Sequence, residues 1–217
     1  MQGTGLMKQI GNLIVFEGPD GVGKSFLADR TLDHLRQQGK KCQLYSFPGK
    51  EEHSLGKLIY QLHHEPQKYD VLTMTPISMQ ALHIAAHIEL IESRILPALS
   101  NGIDIVLDRY WWSTIVYGLV SGVPEPQIEC LINTELFFWG ITHPSILFLV
   151  SRNIPLRPEP AQLWPRWVAE YSRLAERESR HYRVEENVND GAPEEALARV
   201  IREVDSIVIP TVPEHAC

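Results

Sequence analysis

The sequence predicts an α/β fold, one domain in which a parallel sheet carries helices on both faces. Three observations carry this reading. Four runs, "NLIVFEG", "KCQLYSFPG", "IDIVLDRY" and "SILFLV", read as strands. The third is apolar on successive positions, as a strand buried on both faces should be. Segments with helical spacing separate the runs at lengths suited to crossover connections. The first run also breaks into glycines just before a helix begins.

Taken in order, the strand "NLIVFEG" precedes an amphipathic helix over 24–38, where Phe26, Leu27, Leu32 and Leu35 recur at helical spacing and Gly39 suits the stop. "KCQLYSFPG" is a second strand ending at Pro48-Gly49. "SLGKLIYQLHH" reads as a helix ended by Pro66. One long helix follows, "TPISMQALHIAAHIELIESRILPALSNG", with Pro76 near its start and Pro97 in its last turns. Asn101-Gly102 turns the chain into the third strand. "STIVYGLVSG" and "EPQIECLINTELFFWG" read as helices, and "SILFLV" as the fourth strand. A segment rich in Pro and Arg, "SRNIPLRPEPAQLWPR", comes next. The helix "WVAEYSRLAERESRH", the short strand "YRVEEN" and the helix "PEEALARVIREV" complete the chain. There is no internal repeat and no low-complexity tract.

Composition narrows the class. The 217 residues suit one domain, and 44% hydrophobic with 22% charged residues fits a packed chain rather than a disordered one. A net charge of -7 argues against nucleic acid as the partner. Cys42, Cys130 and Cys217 are far apart and form no CxxC pair, which predicts reduced thiols in a cytoplasmic protein and no structural zinc site. No apolar run is long enough to span a membrane, and "MQGTGLMKQIGN" lacks the apolar core of a signal peptide.

The glycine break is the most specific feature. Gly18-Pro19-Asp20-Gly21-Val22-Gly23-Lys24-Ser25 fits G-x-x-x-x-G-K-[ST] after a strand and before a helix. Glycines let backbone N–H groups turn inward on a phosphate, and the helix start adds free amides and a positive dipole end. The expected ATP-phosphate site is Gly18, Asp20, Gly21, Val22, Gly23, Lys24, Ser25 and Phe26. Lys24 would reach the terminal phosphates, and Ser25 would bind Mg²⁺. The fold class is thereby a P-loop NTPase three-layer sandwich. No NKxD motif for guanine is present. "IVLD" ends at Asp108, a second Mg²⁺ candidate. Arg109 follows where a water-activating Glu would stand in a hydrolase, which favours transfer to an anionic acceptor.

"FEGPDGVGKS", "SFPG" and "DRYWWSTIVYG", in this order and spacing, resemble the thymidylate kinases, which phosphorylate dTMP with ATP. The resemblance runs from about Asn12 to Val204. It implies a set of roles. Asp20 would accept the deoxyribose 3′-hydroxyl or organise the acceptor phosphate. Phe47 would stack on the pyrimidine. Arg109 would grip the acceptor phosphate, with Lys50 in place of the family's arginine nearby. Ser113, Thr114 and Tyr117 would contact base and sugar, with Tyr117 crowding the 2′ position. His87 stands where the family has an arginine that reads thymine O4. The base therefore stays open among thymine, uracil, a modified uracil and cytosine. The segment 151–166 would be the lid. Because the phosphate loop has Val22 and no arginine, the lid would supply the catalytic cation from Arg152, Arg157 or Arg166. A homodimer is expected by family analogy. Two other readings remain open: a deoxynucleoside or hydroxymethylpyrimidine kinase, in which Glu17, Glu51 or Glu52 would serve as base, and a non-catalytic nucleotide-binding protein of the same fold. His83 and His87, four apart, could share a metal, but no third ligand is evident.

Overall fold

The computed structural model describes residues 7–207 and 211–213. Strand β1 (Met7–Gln9) leads into β2 (Leu13–Glu17), helix α1 (Lys24–Gln37), β3 (Cys42–Ser46) and α2 (Leu55–His64). A 3₁₀ turn at Pro66–Tyr69 precedes α3 (Pro76–Leu90), a π turn (Ile91–Ile95) and α4 (Leu96–Ser100). Then come β4 (Asp104–Asp108), α5 (Trp111–Val120), α6 (Glu125–Trp139), β5 (Ile146–Ser151), α7 (Trp164–Glu178), β6 (Val184–Val188), α8 (Pro193–Asp205) and β7 (Thr211–Pro213).

Five strands form a parallel sheet in the order β3-β4-β2-β5-β6. The expected three-layer sandwich is therefore present. Strands β2 and β4 are buried at every position, and alternate residues feed two cores. Leu13, Val15, Ile105, Leu107, Leu147 and Leu149 face α3, α5, α6 and α7. Ile14, Phe16, Val106, Ile146, Phe148 and Val150 face α1 and α8. The carboxyl ends of β2 and β4, neighbours in the sheet with Phe16 opposite Asp108, open onto the site.

Three features differ from the sequence reading. The long helix is interrupted by the π turn just before Pro97, whose missing N–H and bulky ring disfavour regular α bonding there. Strands β1 and β7 pair antiparallel in a small second sheet, and their three residues each gave no period to detect. Helix α7 starts at Trp164, inside the expected lid, so the segment between β5 and α7 ends at Leu163 and contains turns but no helix. Cys42 and Cys130 are free thiols, and Cys217 lies outside the described residues.

Candidate active site

The phosphate loop connects β2 to α1, and its glycines answer to geometry. Gly18 has φ 138, and a Cβ there would lie 2.1 Å from the Val150 carbonyl oxygen. Gly23, the residue before α1, has φ 96 and would meet the Asn189 amide nitrogen at 2.6 Å. Only glycine tolerates both the dihedrals and the approach. Asn189 holds the loop from beneath by donating to the Val22 carbonyl at 2.8 Å. The Val22 side chain lies in the core, so its backbone alone is available to a phosphate. Gly21, Gly23, Lys24, Ser25 and Phe26 line a cavity of about 770 Å³ that extends from the loop to α2, α3 and α5.

Lys24 is buried. Its Nζ donates to the carbonyls of Gly18 at 2.8 Å and Pro19 at 2.7 Å, and stands 3.8 Å from Asp20 Oδ1. Burial and the charge of Arg109 lower its pKa to about 8, against the opposing pull of Asp20, Asp108 and Glu17. The protonated form is the one that can bind a phosphate. kcat/KM for ATP is therefore expected to fall with an alkaline limb near pH 8. The limb in kcat should lie higher, since bound phosphate favours the ammonium. A flat kcat/KM profile from pH 7 to 10 would contradict this.

Ser25 Oγ donates to Asp108 Oδ2 at 2.5 Å, joining the two residues named for a cation. Asp108 Oδ1 is buried with no partner. An orphaned carboxylate oxygen beside a hydroxyl is a hard oxygen donor set that fits Mg²⁺. Lys50, largely exposed, places its Nζ 4.0 Å from the same carboxylate.

Asp20 is the hub of the cations. It pairs with Arg109, lies 3.8 Å from Lys24 and is 3.4 Å from Arg157 Nη2. Burial alone would raise its pKa, but Arg109, Lys24 and Arg157 together hold it below the usual carboxylate range. Its backbone N–H donates to the Tyr117 hydroxyl oxygen at 3.1 Å. Burial pushes the Tyr117 hydroxyl up to about 12.

Arg109 takes φ 79, a left-handed conformation that costs a non-glycine residue about 1–3 kcal/mol. Its surroundings over-determine it. Its N–H donates to the Phe16 carbonyl at 2.9 Å and its Nη1 to Ser113 Oγ at 3.1 Å, and the guanidinium lies over the Tyr117 ring at 5.8 Å. The twist turns the side chain from the end of β4 toward the phosphate loop. Burial opposes its charge, but Asp20 and then Tyr117, Tyr171 and Asp108 raise its pKa further.

Of the lid arginines, Arg157 is the one brought to the cavity. Leu156 N–H donates to the Gly21 carbonyl at 2.8 Å, which ties the segment after β5 to the phosphate loop. Arg152 is turned back, its Nε donating to the Ile154 carbonyl at 3.1 Å, and Arg166 sits exposed in α7. Neither of these two lines the cavity.

Phe47 and Ser113 also line the cavity, each with a protein partner of its own. Phe47 is only 3% exposed and stacks on the His87 imidazole at 3.9 Å and 10°. The imidazole takes one face of the ring, and Phe47 still lines the cavity. Ser113 lines the cavity while its polar groups join a buried network. Glu17 accepts from its N–H at 2.9 Å and its Oγ at 2.8 Å, and Tyr171 shares the same hydroxyl at 2.9 Å. Thr114 and Tyr117 line it as well. His87 lines it too, with Nδ1 bonded to the buried Glu135 at 2.9 Å.

Sequence reasoning missed the role of Glu17. It is fully buried, and its oxygens also accept from Tyr110 N–H at 2.7 Å and Gly18 N–H at 3.3 Å. Burial pushes its carboxyl up, while Arg109, Ser113 and Lys24 pull it down. It thus caps the start of α5 and sets the position of Arg109. Its place just before the phosphate loop was a signal, but its partners lie more than 90 residues away.

A sequence model of the family described as Thymidylate kinase matches residues 16–199. The chain is 36% identical over 145 residues to the thymidylate kinase of Dinoroseobacter shibae, covering 67% of this chain and 66% of that protein. It is 35% identical over 154 residues to that of Caldicellulosiruptor saccharolyticus, covering 70% and 68%. With the thymidylate kinase of Chlorobaculum parvum it shares 34% over 107 residues, covering 48% and 46%. The matched stretches thus span about half to two thirds of these relatives. The crystal structure of thymidylate kinase from Ehrlichia chaffeensis superposes with a TM-score of 0.74 at 19% identity, over 89% of this chain and 98% of that one, a likeness of fold. A family match across the whole phosphate-loop, Phe-Pro and Asp-Arg-Tyr framework agrees with the geometry above: this chain belongs to the thymidylate kinase family.

Proposed function

We propose that the chain transfers the γ-phosphoryl group of ATP to the 5′-phosphate of a pyrimidine deoxynucleoside monophosphate, dTMP in the first instance, giving dTDP. The observation that carries this reading is Arg109. A strained backbone, a bond to Ser113 and a pair with Asp20 aim a forked cation into the cavity beside Ser25 and Asp108. That is a grip for an anionic acceptor.

The chemistry asks little else of the protein. The attacking oxygen belongs to a phosphate already ionised near neutral pH, so no base is required. Catalysis rests on in-line positioning and on charge. Lys24 exchanges its two loop carbonyls for the terminal phosphates of ATP. Arg109 holds the acceptor phosphate, and Arg157, tethered to Asp20, reaches the transferred group from the lid. Ser25 and Asp108 would hold Mg²⁺, which supplies neutralisation of the phosphate oxygens when bound. The lid resting on the loop excludes water and so suppresses idle hydrolysis.

The alcohol-kinase reading needs a free carboxylate at the acceptor. Glu17 is sealed by backbone, serine and tyrosine donors. Glu51 and Glu52 are exposed, and Glu52 is paired with Lys57. None is placed to take a proton from a sugar hydroxyl. A homodimer and a cytoplasmic location belong to this proposal by family analogy. Among the described residues no helix is long and apolar enough to cross a membrane. The test is ADP release with matched acceptors: dTMP should be turned over far faster than thymidine, and equal rates would replace this reading with a nucleoside kinase.

A further inference from the structure

We infer that the base end of the cavity accepts both 4-oxo and 4-amino pyrimidines, through Gln80 and His83 on α3. This rests on the nucleotide-kinase reading above. Three residues of α3, Gln80, His83 and His87, line the cavity and stand three and four positions apart, on one helix face. Gln80 is only 6% exposed, yet its Oε1 is buried with no partner. His83 Nε2 is likewise buried and unpartnered. A buried polar atom left unmet is costly, so two of them on one cavity wall mark a surface that a ligand completes.

The polarity of this wall is adjustable. Every permanently charged side chain lining the cavity comes from the phosphate loop, the start of α1, the segment after β3, the end of β4 or the lid; α3 contributes none. A carboxamide offers an acceptor and a donor, and exchanges them by rotation. His83 is neutral: burial, and then the charges of His87, His63 and Arg109, lower its pKa to about 3. A neutral imidazole can present either a donor or an acceptor at Nε2. His87, on the same helix face, bonds the buried Glu135 through Nδ1. Thr114, facing the same space, has a hydroxyl that both donates and accepts. Gln80 and His83 thus fix neither a donor nor an acceptor at position 4. A 4-oxo base can take the Gln80 amide N–H, and a 4-amino base can donate to Gln80 Oε1 or His83 Nε2.

The test is steady-state kinetics with dTMP and dCMP at saturating ATP, for the wild-type chain and for Gln80→Glu, Gln80→Leu and His83→Phe. The wild type should show kcat/KM values for the two acceptors within about tenfold of each other. Gln80→Glu, an acceptor that cannot donate when ionised, should move the ratio toward dCMP by about tenfold or more. Gln80→Leu should lower both values with the ATP KM unchanged. His83→Phe keeps a ring and removes Nε2, so it tests the wall even if a Gln80 variant fails to fold. Turnover of dTMP with a preference over dCMP beyond about a thousandfold would overturn this inference and leave the kinase reading standing. So would an unchanged ratio in folded Gln80→Glu together with unchanged kinetics in His83→Phe. MgATP binding without turnover of either monophosphate would instead overturn the kinase reading.

Discussion

Lys24→Ala is expected to leave the fold intact and to reduce phosphoryl transfer by about two to three orders of magnitude. The side chain is buried in the phosphate loop, where its ammonium is held by the Gly18 and Pro19 carbonyls. No neighbour can replace it. Arg109 is committed to Asp20 and Ser113, and Arg157 reaches Asp20 only from the lid. The fold should survive because the loop is held independently, by Asn189 on the Val22 carbonyl, Leu156 on the Gly21 carbonyl and the Tyr117 hydroxyl under Asp20. Removing a buried ammonium also removes its desolvation cost, which offsets the two lost carbonyl bonds. Single-turnover kinetics and a thermal melt check both halves. Turnover near the wild-type rate by a folded variant would contradict the placement of Lys24.

Arg109→Lys should lower kcat/KM for the acceptor by about a hundredfold and leave the KM for ATP nearly unchanged. Lysine keeps one positive charge and meets the same left-handed backbone, so strain is held constant between the two proteins. What it loses is the fork. A single ammonium cannot bond Ser113 Oγ, pair with Asp20 and grip two oxygens of an acceptor phosphate together. The effect should therefore concentrate in the acceptor terms. Steady-state kinetics with each substrate varied in turn separates it from a general loss. A matching rise in the ATP KM would show that Arg109 serves the donor side instead.

The phosphate loop was legible in the sequence because its physics is local. Glycine dihedrals, a lysine and a serine sit within eight residues of one strand end. The strands were legible because parallel burial imposes continuous apolar runs. Asp108 and Arg109 were placed at the site by the rule that ligands meet the carboxyl ends of strands. The remainder depended on distant partners. Phe47 reads as an aromatic after a strand, and nothing local shows that His87 covers its face. The buried partners of Ser113, Glu17 and Tyr171, lie 96 and 58 residues away. Glu135, which orients His87, sits 48 residues on in another helix and carries no motif. That Arg157 lines the cavity while Arg152 bonds the Ile154 carbonyl depends on the path of the segment after β5, which its run of prolines and arginines does not reveal. The π turn came from Pro97, whose effect on helix bonding was legible, though not its form.

Transfer of label from ATP carrying ³²P at the γ position to dTMP tests the central claim most directly. The account predicts that label appears at the β-phosphate of dTDP, one for each ADP released, and that little free phosphate forms. Label released as inorganic phosphate, or found on a sugar hydroxyl while the 5′-phosphate stays unmodified, would contradict it.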